Sequence, residues 1–379
     1  MSFGKIDEAA LWQKYREEFP VTQRFVYLNQ AAVSPLSRRA ANAMKHLADD
    51  CLLNGSYHYQ EWLDVYDELR ASAAQLIGAA SPKEIALVKN TSEGIATVAL
   101  GINWKAGDKI VGFREEFPAN YLPWESLQAQ GVNIEWLSVT DPLDRIDEAC
   151  RGARLLAVSF VNYLSGHRVD LNAIGEICQR RDCFFFVDAI QGMGAMTLDV
   201  ESAHIDALAA DGHKWMTGPE GCGILYVRQC RQDQVVPKEI GWTNVAAYND
   251  YHASRDFRSD AGRYEPGTLN TIGCFGLRAA IGLLLEVGVQ RISERVKSLA
   301  DQLCHGVRGK GYELLGTRTP ENAAGIVSFR KPGTDSRMIV HHLKEASIQV
   351  AARQGWVRTS PHFYVNSTDI ERVVAELPE

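Results

Sequence analysis

Several features that would assign this chain of 379 residues to a class of proteins are missing from its sequence. The eight cysteines are scattered, and none of them forms the CxxC pair of zinc or thiol-redox sites. Lysine and arginine number 40 against 47 aspartates and glutamates, and the net charge of −7 offers no basic surface for nucleic acid. We therefore expect no bound metal, no nucleic-acid partner, and cysteines that are reduced and mostly buried.

Long uninterrupted hydrophobic runs are also absent. The longest apolar stretch, TIGCFGLRAAIGLLLEVGV, contains Arg278 and Glu286, which favours a buried helix over a membrane span. The N-terminal sequence MSFGKIDEAALWQKYREEF includes acidic residues and lacks an apolar core, so we expect no secretion signal. These features predict a cytoplasmic protein without a membrane partner.

Glycine motifs for nucleotide phosphates are missing as well. The run CFFFVDAIQGMGAMT contains GMG, but Thr197 occupies the position of the third glycine in the dinucleotide fingerprint. No P-loop sequence is present either. A nucleotide-binding α/β protein is therefore disfavoured.

Short apolar runs alternate with helical patterns between about residues 85 and 230. This alternation predicts an α/β fold with a mainly parallel, seven-stranded sheet covered by helices on both faces. Ligands of such sheets bind beyond the carboxyl ends of the strands. The predicted strands are EIALV, KIVGF, VNIEWL, RLLAVSF, CFFFVD, IDALAAD and GCGILYV.

The pattern changes after residue 270. Two long helical segments are followed by short strands, among them AAGIVSF at 323–329, and by further helices. We therefore expect a large domain, 31–265, and a smaller C-terminal α+β domain, 266–379. Residues 1–30 are expected to pack with the small domain.

Polar side chains follow several predicted strands at the edge where a ligand would bind. Asp188 ends CFFFVD, with Gln191 three residues further on, and Lys214 follows IDALAAD. Asn162 and Tyr163 follow RLLAVSF. Each also has an ordinary explanation: a helix cap for Asp188, loop positions for Asn162 and Tyr163, and a surface position for Lys214.

Other residues add groups of complementary chemistry. Thr91 and Ser92, in KNTSEG, are expected at a helix N-terminus, where they suit either capping or phosphate binding. Phe117 is either a core or a stacking aromatic, Thr268 lies in a glycine turn, and Arg358 lies in a late strand where a surface position is ordinary. Phosphate anchor, aromatic ring, acid, lysine and arginine together are what pyridoxal 5′-phosphate (PLP) requires.

The ordered motifs resemble those of class V aminotransferases, a branch of the fold-type I PLP-dependent enzymes that also contains cysteine desulfurases and isopenicillin-N-epimerase-like proteins. The similarity spans roughly residues 25–375. It implies a homodimer with shared active sites, in which Lys214 forms the Schiff base with PLP and His213 and Asp188 are its catalytic neighbours. The motifs are HKWMTGPEGCGILYVR, VDAIQ, TSEG, EFPANYLPW, YEPGT and RTSPHFYVNSTDI.

The resemblance also implies a contact for each remaining site residue. Asp188 is implied at the pyridine nitrogen, Gln191 at the ring hydroxyl, and Phe117 where desulfurases stack a histidine on the ring. Arg358 and Asn29 are implied at the substrate, with the arginine on its carboxylate.

The phosphate end of the site is implied to contain Thr91 and Ser92 together with His213. Asn162 is implied to contact the cofactor, and Thr268 to reach the phosphate bound in the neighbouring subunit. Asp211 departs from the family pattern, because many relatives have a serine there and a carboxylate would repel the phosphate.

The resemblance implies an enzyme that acts on an amino acid, and transamination is the first expectation. Lysis of a C–S or other β bond and epimerisation are alternatives, because all three reactions use the same site. A non-catalytic binding module is a remote alternative that the joint presence of Lys214, Asp188 and Arg358 disfavours.

One member of the family is not expected. Desulfurases need a nucleophilic cysteine on a loop before the C-terminal arginine element, and here two residues separate Gly355 from Arg358. Cys304 is the last cysteine, and its helical context predicts a buried, inert thiol. We therefore expect this protein not to be a cysteine desulfurase, while a lyase that needs no enzyme thiol stays open.

Overall fold

The computed structural model describes residues 8–247, 250 and 255–379. The strands are β1 (Val26–Tyr27), β2 (Ile85–Val88), β3 (Lys109–Phe113), β4 (Asn133–Leu137), β5 (Leu155–Ser159), β6 (Phe184–Asp188), β7 (Ala207–Asp211), β8 (Gly223–Val227), β9 (Glu313–Leu314), β10 (Val327–Arg330), β11 (Ile348–Gln349), β12 (Ala351–Arg353) and β13 (Trp356–Thr359). The α-helices are α1 (Glu8–Arg16), α2 (Arg38–Asn54), α3 (Tyr59–Ile77), α4 (Thr91–Gly101), α5 (Leu122–Ser126), α6 (Leu143–Ala149), α7 (Leu171–Arg181), α8 (Thr271–Val287), α9 (Val289–Gly309), α10 (Ser336–Glu345) and α11 (Ser367–Ala375).

The main sheet has seven strands in the order β2-β8-β7-β6-β5-β3-β4. The pairs from β4 across to β7 are parallel, whereas β8 is antiparallel to both β7 and β2. The reversal follows from the connection, because residues 212–222 contain no helix and a parallel return needs a longer crossover. The predicted α/β fold with a mainly parallel seven-stranded sheet is confirmed.

The central strands of this sheet are buried on both faces. In β6, Phe184 and Phe186 belong to one hydrophobic cluster, whereas Phe185 and Val187 belong to the cluster on the opposite face. Helices cover both faces, so a strand in this position can be apolar at every residue. This explains why CFFFVD reads as a continuous run and not as an alternation.

The C-terminal part contains a four-stranded antiparallel sheet in the order β12-β13-β10-β9. The N-terminal segment joins it through the parallel pairing of β1 with β11. Phe19 stacks on Tyr364 with ring centroids 4.1 Å apart, and Arg16 binds Asp369 at 2.7 Å. These contacts link the N-terminal segment to the last hundred residues, while the division into 1–30, 31–265 and 266–379 stays a prediction.

Within the described residues, no single helix has the length and apolar composition needed to cross a membrane, although the pair α8 and α9, bent by 82°, meets both criteria together. Side chains of α8 such as Leu277 and Ile281 are fully buried in the core. All eight cysteines are free, and six of them are buried, as expected. Three of the buried thiols lie within 4.8 Å of one another, those of Cys150, Cys178 and Cys183.

Candidate active site

A cavity of about 350 Å³ opens at the carboxyl edge of the main sheet. The ends of β5, β6 and β7 form its floor, the start of α4 closes one end, and the β12–β13 hairpin forms the other wall. This is the position in which open α/β sheets bind ligands. The predicted site residues that line it are Thr91, Ser92, Phe117, Asp188, Gln191, His213, Lys214 and Arg358. Asp211, named above as a departure from the family pattern, lines it as well.

Lys214 lies in the turn that follows β7, with its side chain in the cavity. Its carbonyl accepts a hydrogen bond from the Gln30 side chain at 2.7 Å, which fixes the backbone of the turn. Burial lowers the pKa of Lys214 to about 8; the nearby charge of Asp188 opposes this shift, and that of Arg358 adds to it. A lysine in this state is neutral often enough near neutral pH to act as a nucleophile.

Asp188 ends β6 at the floor of the cavity and is 2% exposed. One carboxylate oxygen, Oδ1, accepts the N–H of Ile190 at 3.0 Å. Burial raises the pKa of Asp188 to about 6, against the opposing effects of that hydrogen bond and of the Lys214 charge. A buried acid facing a cavity is suited to pair with a cationic N–H group of a ligand.

Gln191 is held by two hydrogen bonds beside Asp188. Its side-chain amide donates to the carbonyl of Ala31 at 3.1 Å, and its oxygen accepts the Trp215 indole N–H at 2.9 Å. The indole thereby fixes which end of the carboxamide bears the oxygen. One amide hydrogen of Gln191 stays available for a ligand.

The start of α4 differs from the sequence expectation. Asn90 is the N-cap, and its side chain accepts the N–H of Glu93 at 2.9 Å, so Thr91 and Ser92 are the first two helical residues. Thr91 Oγ1 instead accepts the backbone N–H of Asp211 at 2.9 Å. A helix N-terminus with hydroxyl groups that faces a cavity is a site for an anion.

Asp211 and His213 lie at the same end of the cavity. Asp211 Oδ2 and His213 Nδ1 are 3.0 Å apart but lack the geometry of a hydrogen bond, and each residue has a buried polar atom without a partner among the described residues. Asp211 is 5% exposed. The predicted departure from the family pattern therefore falls inside the cavity.

Phe117 contributes an exposed aromatic surface to the cavity. Its side chain is 46% exposed, which excludes the core alternative, and it packs edge to face on Tyr163 with centroids 5.2 Å apart. Lys214 Nζ is 5.8 Å from the centroid of the Phe117 ring. A planar ligand joined to the lysine would have this ring available for stacking.

Arg358 is buried, so the ordinary expectation of a surface position is wrong. It is 3% exposed, Nη1 donates to the Tyr163 carbonyl at 2.8 Å, and Nε is buried without a partner. Burial and, as a smaller cause, the nearby charge of Arg353 together lower its pKa to about 10. The guanidinium stays charged near neutral pH, and a buried cation in this state favours an anionic ligand.

The hairpin that bears Arg358 is tight. Gln354 and Gly355 form its turn with φ angles of 48° and 83°, the left-handed backbone that such two-residue turns require. Arg353, which the sequence analysis did not single out, lines the cavity beside Arg358. The dipeptide QG flanked by short apolar strands was the signal that could have predicted the hairpin.

Three predicted residues do not line the cavity. Both ends of the Asn162 side chain are engaged: Nδ2 donates to the Glu115 carbonyl at 2.7 Å, and Oδ1 accepts the N–H of Ser165 at 2.9 Å. Thr268 lines a separate cavity of about 450 Å³. Asn29 bridges to Ser360 through its backbone, and its Oδ1 is buried without a partner in the described structure.

Comparison with known proteins places the chain in a family. The aminotransferase class-V family matches residues 26–373. A probable cysteine desulfurase of Pyrococcus abyssi is 30% identical over 96% of this chain and 96% of its own. An uncharacterized aminotransferase of Bacillus subtilis is 28% identical over 96% and 97% of the two chains. The apo structure of a cysteine desulfurase from Thermococcus onnurineus has a TM-score of 0.89 and 28% identity over 99% and 98% of the chains. The predicted resemblance is confirmed, and the chain belongs to the aminotransferase class-V family.

Proposed function

We propose that this protein is a PLP-dependent C–S lyase that cleaves the Cβ–S bond of a sulfur-containing amino acid without passing the sulfur to a cysteine of its own. The observation that carries this proposal is a pocket with the Lys214 amine and the Arg358 guanidinium but no thiol. None of the eight cysteines, all in the described part of the chain, lines it. The names of the Pyrococcus and Thermococcus relatives favour the lyase alternative over the transamination expected first.

The class-V family depends on PLP, as predicted, and most residues of the pocket fit this group. When bound, PLP supplies an electron-accepting ring that weakens the bonds around the substrate Cα. Lys214 would hold it covalently, Phe117 would cover its ring, and the start of α4 would bind its phosphate. Asp188, buried and within the field of Lys214, would keep a proton on the pyridine nitrogen. Asp211 is the exception, because its carboxylate would repel the phosphate of PLP.

Arg358 is proposed to orient the substrate. Its buried Nε has no partner in the described structure, and Nη1 is held by the Tyr163 carbonyl, so the free edge of the guanidinium is fixed. Such an edge binds a carboxylate through two hydrogen bonds. A carboxylate held there would set which bond of Cα is perpendicular to the plane of the cofactor ring.

Lys214 is proposed to move the Cα proton. Its lowered pKa of about 8 lets the free amine accept that proton near neutral pH. The sulfur then leaves as sulfide, as a thiol or, from a disulfide such as cystine, as a persulfide, and the remaining three carbons are released as a keto acid with ammonia after addition of water. No group of the chain has to accept the sulfur.

Two further expectations remain proposals. A homodimer is supported by Thr268, which lies outside the cavity of its own chain, as a residue serving the neighbouring subunit would. A cytoplasmic location is supported by the eight free cysteines, two of which are exposed.

The test follows the products. The purified protein with added PLP is mixed with cysteine, cystine and S-alkyl cysteines, and the sulfur product (sulfide, thiol or, from cystine, persulfide), ammonia and keto acid are measured. We expect the three products in equal amounts, no requirement for a keto-acid acceptor, and loss of all of them in Lys214→Ala. The exposed Lys344 supplies the matched control, Lys344→Ala, which should retain activity. Keto acid without ammonia, dependent on an acceptor, would instead establish transamination.

A further inference from the structure

Asp211 lies at the end of the cavity where a phosphate is expected. It is the last residue of β7, lines the cavity with Thr91 and Ser92, and is 5% exposed. Its Oδ1 is buried and has no hydrogen-bond partner among the described residues. An oxygen in this state lacks a donor, and burying it without one is costly.

The surroundings of Asp211 are built to receive an anion. The N-terminus of α4 points at this end of the cavity, and Thr91 is its first residue. Because Thr91 Oγ1 accepts the backbone N–H of Asp211 at 2.9 Å, the hydroxyl hydrogen is free to be donated elsewhere. The same corner therefore combines an anion site with an acidic side chain.

The charged groups around Asp211 come from four elements. In its own turn, His213 Nδ1 is 3.0 Å from Oδ2 without hydrogen-bond geometry, and Lys214 lies within its field. On β6 the neighbouring acid is Asp188. Directly before β8 lies Cys222, a thiol whose pKa is raised by its hydrogen bond to Cys274, by burial and by the charge of Asp211. On α4, Glu93 is paired with Lys89 at 3.0 Å.

We propose that Asp211 shares one proton with the phosphate of the bound ligand, so that this chain takes up one proton from solvent when it binds PLP. The proposal rests on the proposed PLP dependence. The proton lies between Asp211 Oδ1 and a phosphate oxygen, where it replaces a repulsion between two anions with a hydrogen bond. No other bond is formed or broken in this step.

Proton uptake on binding makes the affinity for the ligand fall as the pH rises. The second pKa of a phosphate monoester is about 6, so above that pH the proton that the two groups share must come from solvent. Each pH unit then weakens binding by about tenfold, because one proton must be taken from a solution in which protons are ten times scarcer. A serine at this position would donate a hydrogen bond to the phosphate and need no such proton.

The experiment measures the affinity of the full chain, freed of bound ligand, for pyridoxine 5′-phosphate between pH 7 and 8.5. This probe has the ring and phosphate of PLP but an alcohol in place of the aldehyde, so Lys214 forms no covalent bond to it. We expect the dissociation constant to rise about tenfold per pH unit in the wild type and to vary less than about threefold over the range in Asp211→Asn and Asp211→Ser. Because Lys214 titrates in the same range and its pKa responds to Asp211, all variants are compared in a Lys214→Ala background. The ring nitrogen and Asp188 are then common to all of them, so the difference in slopes reports on Asp211.

The variant His213→Asn distinguishes between Asp211 and His213, the two side chains that could hold the proton. The slope should persist in this variant, because the proton belongs to Asp211 and the phosphate. Loss of the slope in His213→Asn, its persistence in Asp211→Asn, or its absence in the wild type would each overturn the proposal. Failure of every variant to bind both this probe and PLP would overturn the proposed function as well, whereas tight binding independent of pH would overturn only the role of Asp211.

Discussion

Glu116 accepts both the backbone N–H of Ser159, at 2.6 Å, and the Ser159 hydroxyl. Ser159 is paired in register with Asp188 across β5 and β6, so Ser159 lies between two buried acids, of which Asp188 lines the cavity. Burial raises the pKa of Glu116 to about 7; the Ser159 hydroxyl opposes this shift, and the charge of Asp188 adds to it. Burial therefore raises the pKa of both acids.

Glu116→Gln should stabilise the protein in alkaline solution. The folded pKa of Glu116, about 7, exceeds its ordinary value of 4.5, so ionisation above pH 7 costs the folded state free energy. The amide keeps the neutral form and can still bond to Ser159. We expect the free energy of unfolding to exceed that of the wild type at pH 8 by up to about 3 kcal/mol, and this gain to fall below about 1 kcal/mol at pH 5.

Urea unfolding at the two pH values tests this expectation. The exposed Glu176, on α7, supplies the matched control, Glu176→Gln. The gain in stability of Glu116→Gln over the wild type should be larger at pH 8 than at pH 5. Equal gains at the two pH values would mean that Glu116 is already ionised in the folded protein at pH 5.

The reactivity of Lys214 should titrate with a midpoint near pH 8 and respond in opposite directions to two substitutions. Arg353→Gln removes a positive charge that lowers the pKa of Lys214, so its midpoint should rise. Asp188→Asn removes a negative charge that raises the pKa, so its midpoint should fall. Reductive methylation of the chain freed of ligand, followed by mass spectrometry of the Lys214 peptide, measures the midpoint. The exposed Lys344 in the same digest is the internal control, and equal midpoints in all variants would refute the electrostatic origin of the shift.

Strand periodicity and motif order predicted most of the floor of the pocket. Asp188 and Lys214 follow apolar runs whose ends meet at one edge of a parallel sheet. The strand pattern alone therefore predicts that the two side chains lie close together. The direction of β8 was not predicted, because it depends on the missing crossover between β7 and β8.

The walls of the pocket depend on packing between distant segments. Arg358 resembles a surface arginine in sequence and is buried only because the Tyr163 turn packs against its hairpin. Asn162 was expected to contact the cofactor, yet the fold uses its side chain to close the turn through Ser165. Such assignments require the tertiary contacts, since the same residue types suit both roles.

Phe117→Ala should weaken PLP binding without preventing covalent attachment to Lys214. The ring lies 5.8 Å from the lysine amine and is half exposed, so its removal takes away a stacking surface and leaves the core intact. Stacking contributes on the order of 1 kcal/mol, which corresponds to about a fivefold higher dissociation constant. Titration of the chain freed of PLP measures it, and Leu122→Ala, at another exposed apolar position, is the control. An unchanged affinity in Phe117→Ala would refute the stacking role.

Turnover of a sulfur amino acid should leave no persulfide on the enzyme. The turn at Gln354 and Gly355 leaves no loop before Arg358 on which a thiol could reach the substrate, and Cys304 is buried in α9 with a pKa raised by burial. After single turnover of cysteine or an S-alkyl cysteine and thiol trapping, mass spectrometry should find no persulfide on any of the eight cysteines while sulfide or thiol appears in solution.

When cystine is the substrate, the released cysteine persulfide can transfer its outer sulfur to the thiol of the exposed Cys51 or Cys230 and leave as cysteine. The double variant Cys51→Ser/Cys230→Ser should therefore turn over at the wild-type rate and show even less background modification. A persulfide that forms on any remaining cysteine as fast as product appears would contradict the thiol-independent mechanism. It would make the protein a desulfurase that uses a cysteine far in sequence from the hairpin.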